Sequence, residues 1–169
     1  MKSNGDKMAY FFNAEEIFEM AIRIEENGAR FYRKAAGFQS DSQNREMLEK
    51  LATMEDHHKF TFEKMRQSLS EADKTATVFD PENESSKYLS AMADNHGGEG
   101  SPAAADLLTG KESIAEIIDI AIGLEKESIL FYIGLKDMIP PKYGQEKLEN
   151  IIKEERKHII QLNTVRKKL

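Results

Sequence analysis

Residues 14–69 align with residues 114–169 without a gap, and this repeat constrains the fold more than any other feature of the chain. AIRIEENGARFY (21–32) falls on AIGLEKESILFY (121–132), and EMLEKLATMEDHH (46–58) falls on EKLENIIKEERKH (146–158). Glu25 meets Glu125, Tyr32 meets Tyr132, Glu55 meets Glu155 and His58 meets His158. Two copies of one unit predict a bundle with a pseudo-twofold axis.

Each unit reads as a pair of helices. Glu, Lys, Ile, Leu, Met and Ala dominate four stretches, at about 13–37, 42–69, 113–138 and 141–168, and these residues favour helix over strand. Asn13-x-x-Glu16 and Ser113-x-x-Glu116 read as capping boxes, and Pro141 fits the first turn of the last helix. The breaks near 38–41 and 138–141 are short, which predicts two antiparallel hairpins. The stretch at about 70–112 carries Gly97, Gly98, Gly100 and Pro102 and is too long for an ordinary helix–helix loop. It reads as a crossover along the bundle, with SSKYLSAMADNH as a short helix that packs Tyr88, Leu89 and Met92. The fold class is all-α, with residues 1–169 as one domain.

The heptad register then exposes a conflict. Inward positions read Ala14, Phe18, Ala21, Glu25, Gly28, Tyr32, Ala35 in the first helix and Leu48, Leu51, Glu55, His58, Phe62, Met65, Leu69 in the second. The third gives Ile114, Ile118, Ala121, Glu125, Ser128, Tyr132, Leu135, and the fourth Leu148, Ile151, Glu155, His158, Leu162, Val165, Leu169. Every stripe is interrupted at mid-length by a carboxylate. An unpaired carboxylate in a dry interior costs several kcal/mol, and four would also repel one another. No Lys or Arg stands beside them on the stripes. Two divalent cations would balance four glutamates and leave both histidines neutral. One Glu from each of two helices, with Glu-x-x-His from each of the other two, is the ligand set of di-iron and di-manganese carboxylate bundles. The candidate metal ligands are therefore Glu25, Glu55, His58, Glu125, Glu155 and His158. His57 falls off the core stripe, and His96 lies in the Gly-rich stretch, so neither joins the set.

Composition excludes other classes. The 169 residues contain no Cys, which removes disulfides, thiolate metal sites and thiol nucleophiles. There are 24 Lys and Arg against 30 Asp and Glu, a balance that argues against a nucleic-acid partner. No apolar run approaches the ~20 residues of a membrane span, and the polar N-terminus is unlike a secretory signal. The expected location is cytoplasmic.

On these residues the chain resembles the rubrerythrins, from about 13 to 168 apart from the crossover. The resemblance implies a ferritin-like four-helix bundle with a di-iron site in which Glu55 and Glu155 bridge the metals. It implies that Glu25 and Glu125 are terminal ligands and that His58 and His158 each bind one metal. Tyr32 and Tyr132 match tyrosines that hydrogen-bond ligand carboxylates across the site in that family, which makes them the candidate supporting residues of the catalytic centre. Two features depart from the family. The chain has no Cys-x-x-Cys pairs to form a rubredoxin-like domain, and Ser128 stands where rubrerythrins place an additional Glu, with Glu127 turned aside.

The expected activity is that of a di-iron oxidoreductase that reduces hydrogen peroxide or dioxygen, as a homodimer supplied with electrons by an external donor protein. The cofactor is two iron ions, with manganese as the alternative at one or both positions. Rival readings are a ferroxidase for iron storage or transfer, a dimanganese catalase, and a metal-stapled bundle without turnover. Gly28 and Ser128, one turn beyond the ligands, serve either close packing or an oxidant pocket.

Overall fold

A computed structural model describes residues 14–71, 74, 87, 103–139, 142 and 144–169. The predicted Asn13 cap, the short helix with Tyr88, Leu89 and Met92, His96 and Pro141 lie outside them. Among the described residues there are five helices and no strand: α1 (Ala14–Gly37), α2 (Ser42–Gln67), α3 (Ala104–Leu107), α4 (Ile114–Met138) and α5 (Gln145–Arg166). Helices α1 and α2 form one hairpin and α4 and α5 the other, and the two hairpins pack as a four-helix bundle.

Local chemistry sets the ends of these helices. The Asp41 carboxylate accepts from the Asn44 N–H at 2.8 Å and opens α2. Ser113 and Glu116 form the predicted capping box at the start of α4. The start of α5 differs from expectation: the helix begins at Gln145, beyond Pro141, because Gly144 at its N-cap has a φ of 103°. A Cβ there would be strained by the left-handed backbone and would meet Met65 at 3.2 Å. Gln145 then turns back to donate to the carbonyls of Lys136 and Ile139, closing the end of α4. Before α4, the Glu112 carboxylate accepts from the Thr109 and Gly110 N–H groups and the Thr109 hydroxyl. These bonds hold Glu112 down to about 2. The short α3 is tied to α1 by Lys34 donating to the Ala105 carbonyl at 2.8 Å and by the Arg30–Asp106 pair.

The heptad stripes are buried with few departures. Val165 is half-buried and Leu169 is exposed, so the α5 stripe runs out in its last turn. Ile17, Ile24, Phe31, Ile117 and Phe131 add buried positions that strict heptads omit, because a core-facing helix presents a wider apolar face than a coiled-coil seam. Two apolar clusters result. One gathers Phe18, Phe62, Met65, Phe131 and Leu148, and the other gathers Phe31, Leu48, Leu51, Ile117 and Leu162. The interrupted positions of the four stripes lie between them, and that gap in the apolar core is the candidate site.

Candidate metal centre

All six predicted ligands are buried: Glu25, Glu55, His58, Glu125, Glu155 and His158 are each at most 5% exposed. They form two overlapping groups whose ligand atoms lie within 4.8 Å of one another. One contains Glu25, Glu55, His58 and Glu155, and the other Glu55, Glu125, Glu155 and His158. Glu55 and Glu155 belong to both, so they occupy the shared position between two candidate cation sites. One predicted ligand from each long helix, plus a second from α2 and from α5, thus converge on a single point.

The pseudo-twofold pairs the residues of the site, while Glu155 lies nearer than Glu55 to both imidazoles. Nδ1 of His58 lies 3.5 Å from Glu25, 3.7 Å from Glu55 and 3.0 Å from Glu155. Nδ1 of His158 lies 3.3 Å from Glu125, 2.9 Å from Glu155 and 3.6 Å from Glu55. The imidazoles stack with centroids 5.7 Å apart. The tyrosines cross over: the Tyr32 hydroxyl donates to Glu125 at 2.5 Å, and the Tyr132 hydroxyl donates to Glu25. Each Tyr also follows a Phe, and the Phe31–Tyr32 and Phe131–Tyr132 rings meet edge to face, an FY pair that the repeat contains.

These residues suit a divalent metal pair, and their unmet polar atoms show it. Glu55 Oε1, both Glu155 oxygens, Nδ1 of both histidines and His158 Nε2 are buried without an aligned hydrogen bond. The imidazole nitrogens are close to the carboxylates, but the contacts lack hydrogen-bond direction. Unmet groups of this kind in a native interior call for a ligand. Oxygen and imidazole donors suit iron, manganese or zinc. Among the described residues no Lys or Arg is buried to neutralise the four carboxylates.

The electrostatics match that crowding. Burial, followed by repulsion from Glu25 and Glu125, drives the Glu55 carboxyl well above its ordinary value. Burial, followed by Glu55 and Glu125, raises Glu155 to about 7. Burial opposes charge on His158, but the Glu125 and Glu155 carboxylates outweigh it and raise the imidazole to about 10. His58 moves the same way under Glu155, Glu25 and Glu55, against burial. Burial also works against ionised Glu125, yet His158, Glu155 and the Tyr32 hydroxyl bring it below 4.5. Burial and the neighbouring carboxylates keep both tyrosines protonated, so they act as donors.

Surrounding positions also take definite places. A Cβ at Gly28 would lie 3.4 Å from Glu55 Cγ, in ordinary van der Waals contact. Beside it a cavity of about 20 Å³, lined by Asn27, Gly28, Ala104 and Leu124, has room for one water-sized molecule. Ser128, the equivalent residue, is buried and Glu127 is half-buried. His57 is exposed, as its register predicts. An open cleft of about 480 Å³ reaches His58 between α2 and α5, with Phe60, Thr61, Lys64, Lys147, Asn150 and Glu154 on its walls. Glu154 is the polar contact that the sequence reading missed: an oxygen lies 2.9 Å from His58 Nε2. The available signal was a break in the repeat, since Met54 stands opposite Glu154.

No protein-family model and no curated protein matches the chain. A solved structure does: a protein of Thermotoga maritima, described as a candidate ferritin-like diiron-carboxylate protein, superposes with a TM-score of 0.71. The match covers 94% of this chain and 97% of that one at 24% sequence identity. The chain therefore has the ferritin-like helical-bundle fold, with a buried Glu/His cluster between the two apolar halves of its core.

Proposed function

We propose that the chain is a di-iron oxidoreductase of rubrerythrin type that reduces hydrogen peroxide or dioxygen. The observation that carries this reading is the pair of overlapping four-residue clusters sharing Glu55 and Glu155, with buried donor atoms left unmet. The diiron-carboxylate description of the Thermotoga maritima protein is consistent with it. Glu25 and His58 would hold one iron, Glu125 and His158 the other, and Glu55 and Glu155 both. Bound there, two iron ions supply two electrons to an oxidant.

The chain's own groups do the rest. Four carboxylates offset the charge of two divalent cations, and the two imidazoles add neutral donors. The Tyr32 and Tyr132 hydroxyls each hold one oxygen of Glu125 and Glu25, which leaves less freedom in those side chains than in Glu55 and Glu155. The apolar clusters above and below hold bulk water away from the centre, and the cleft at His58 and Glu154 is the side on which protons can enter. An external electron donor protein that restores the reduced iron is part of the proposal. Assembly as a homodimer and a cytoplasmic location belong to the same proposal. Among the described residues no helix is long and apolar enough to cross a membrane.

The test is anaerobic stopped-flow mixing of Fe(II)-loaded protein with hydrogen peroxide and, separately, dioxygen. Oxidation of the bound iron faster than free Fe(II) is expected with at least one. No acceleration with either would overturn the redox proposal and leave a metal-stapled bundle. Elemental analysis of protein purified without added metal separates iron from manganese. Peroxide disproportionation without a reductant would identify a catalase instead. Ferric mineral accumulating in a large multi-subunit particle would identify iron storage.

A further inference from the structure

The pseudo-twofold pairs all six ligands and both tyrosines, although Glu155 lies nearer than Glu55 to both imidazoles, and one contact outside the ligand set has no counterpart. His58 Nε2 lies 2.9 Å from a Glu154 oxygen, and Glu154 is 43% exposed on the wall of the open cleft. The equivalent atom on the other side, His158 Nε2, is buried without a hydrogen-bond partner. The residue equivalent to Glu154 is Met54, whose thioether is only a weak, uncharged acceptor. We infer that Glu154 is a positioning residue that orients His58 for metal and makes its half-site the tighter of the two cation sites.

The argument follows from imidazole chemistry. To bind a metal through Nδ1, the nitrogen facing the carboxylates, His58 must carry its proton on Nε2. Glu154 accepts that proton's hydrogen bond, which fixes both the tautomer and the ring angle and makes Nδ1 more basic. Its other face is open to the cleft, so the carboxylate keeps partial hydration and is not an added buried charge. His158 must hold the same tautomer with Nε2–H unmet, or rotate to meet it. Losing an outer hydrogen bond of this kind typically weakens a metal site about 10–100-fold.

The inference rests on the metal-centre reading, and the test separates the two. Co(II) affinities of the full chain are measured anaerobically by competition with a chelating dye, for wild type, Glu154→Met and Met54→Glu. Wild type is expected to take up two ions. Glu154→Met should weaken the tighter class by about 10–100-fold and leave the other within about twofold. Met54→Glu should tighten the weaker class. In Zn(II)-loaded protein, nitrogen NMR should show His58 in the Nε2–H form with slow proton exchange, and that protection should vanish in Glu154→Met. Unchanged affinities and an unchanged His58 signal in Glu154→Met would overturn the inference, as would equal weakening of both classes. A folded Met54→Glu protein with no tightening would count against it. Uptake of fewer than two ions by wild type would overturn the metal-centre reading and this inference together.

Discussion

Without metal, the interior of this protein has to be neutralised by protons, and that gives its stability an unusual pH dependence. Glu155 faces Glu25, Glu55, Glu125, His58 and His158, and its carboxyl is raised from 4.5 to about 7, with burial as the largest cause. A raised carboxyl means that the folded state holds its proton more tightly than the unfolded state does. Stability is therefore full below 4.5 and falls as the pH rises through about 7. At about 1.4 kcal/mol per pH unit, that interval corresponds to a loss of about 3 kcal/mol. In a domain of this size it lowers the midpoint of thermal unfolding by about 6–12 °C. Glu55 is raised too and adds to the same trend. His158, raised to about 10, extends the fall at higher pH, since its contribution is full below 6.5 and lost through about 10. The exposed acids whose pKa is lowered, Glu46, Glu112, Glu116, Asp119 and Glu149, work in the opposite direction but titrate below their ordinary values. The window between pH 5 and 8 therefore reports mainly the core, with half-buried Glu127, raised by burial, adding in the same direction. The assay is calorimetry of chelator-treated protein across that window, beside Glu155→Gln, whose amide cannot ionise. Wild type should lose stability as the pH rises. The variant should lose less, yet keep the sign because Glu55 remains. A flat or rising wild-type profile, or an equal fall in the variant, would refute the reasoning.

Three further outcomes follow from the same geometry. Loading with two divalent ions at pH 7 should release about three to four protons, from the two imidazoles, Glu55 and part of Glu155, because ligands bind deprotonated; calorimetry in buffers of different ionisation enthalpy counts them, and zero release would contradict the electrostatics. Tyr32→Phe and Tyr132→Phe should each destabilise the protein by about 1–3 kcal/mol, because a buried carboxylate oxygen loses its donor. The pseudo-twofold predicts similar costs for the two, which denaturant unfolding measures. Gly28→Ala should raise stability by up to about 1 kcal/mol through helix propensity, since the added methyl makes only ordinary contact with Glu55. The same methyl narrows the space beside Glu55, so oxidation of bound Fe(II) should slow in stopped-flow while the melting temperature rises.

The long-range features were the legible ones, because they rest on periodicity and repetition. The four stripes reproduce the core from Phe18 to Leu162, and the offset of 100 residues brings Glu25 with Glu125 and His58 with His158. The start of α5 at Gln145 was not legible, because the left-handed Gly144 and the folding back of Gln145 depend on α4 being in place. The fraying of the stripe at Val165 and Leu169 is an end effect that register alone does not contain. Glu154 escaped notice for another reason. Its register places it beside the core stripe of its own helix, and only the packing of α2 against α5 brings it to His58.

That contact changes how the repeat should be understood. A duplicated ligand set would give two metal positions of the same composition, but not of the same affinity, because imidazole geometry is set by groups outside the ligand set. The tyrosines preserve the symmetry, each bracing a glutamate from the other half, so exchange between halves is built into the bonds that hold the bundle closed. Glu154 breaks the symmetry at His58, where the cleft brings the centre toward solvent. Two positions alike in ligands and unlike in the bonds that brace their imidazoles would fill in order. The one on the His58 side, both braced and open to the cleft, is the one from which loading should begin.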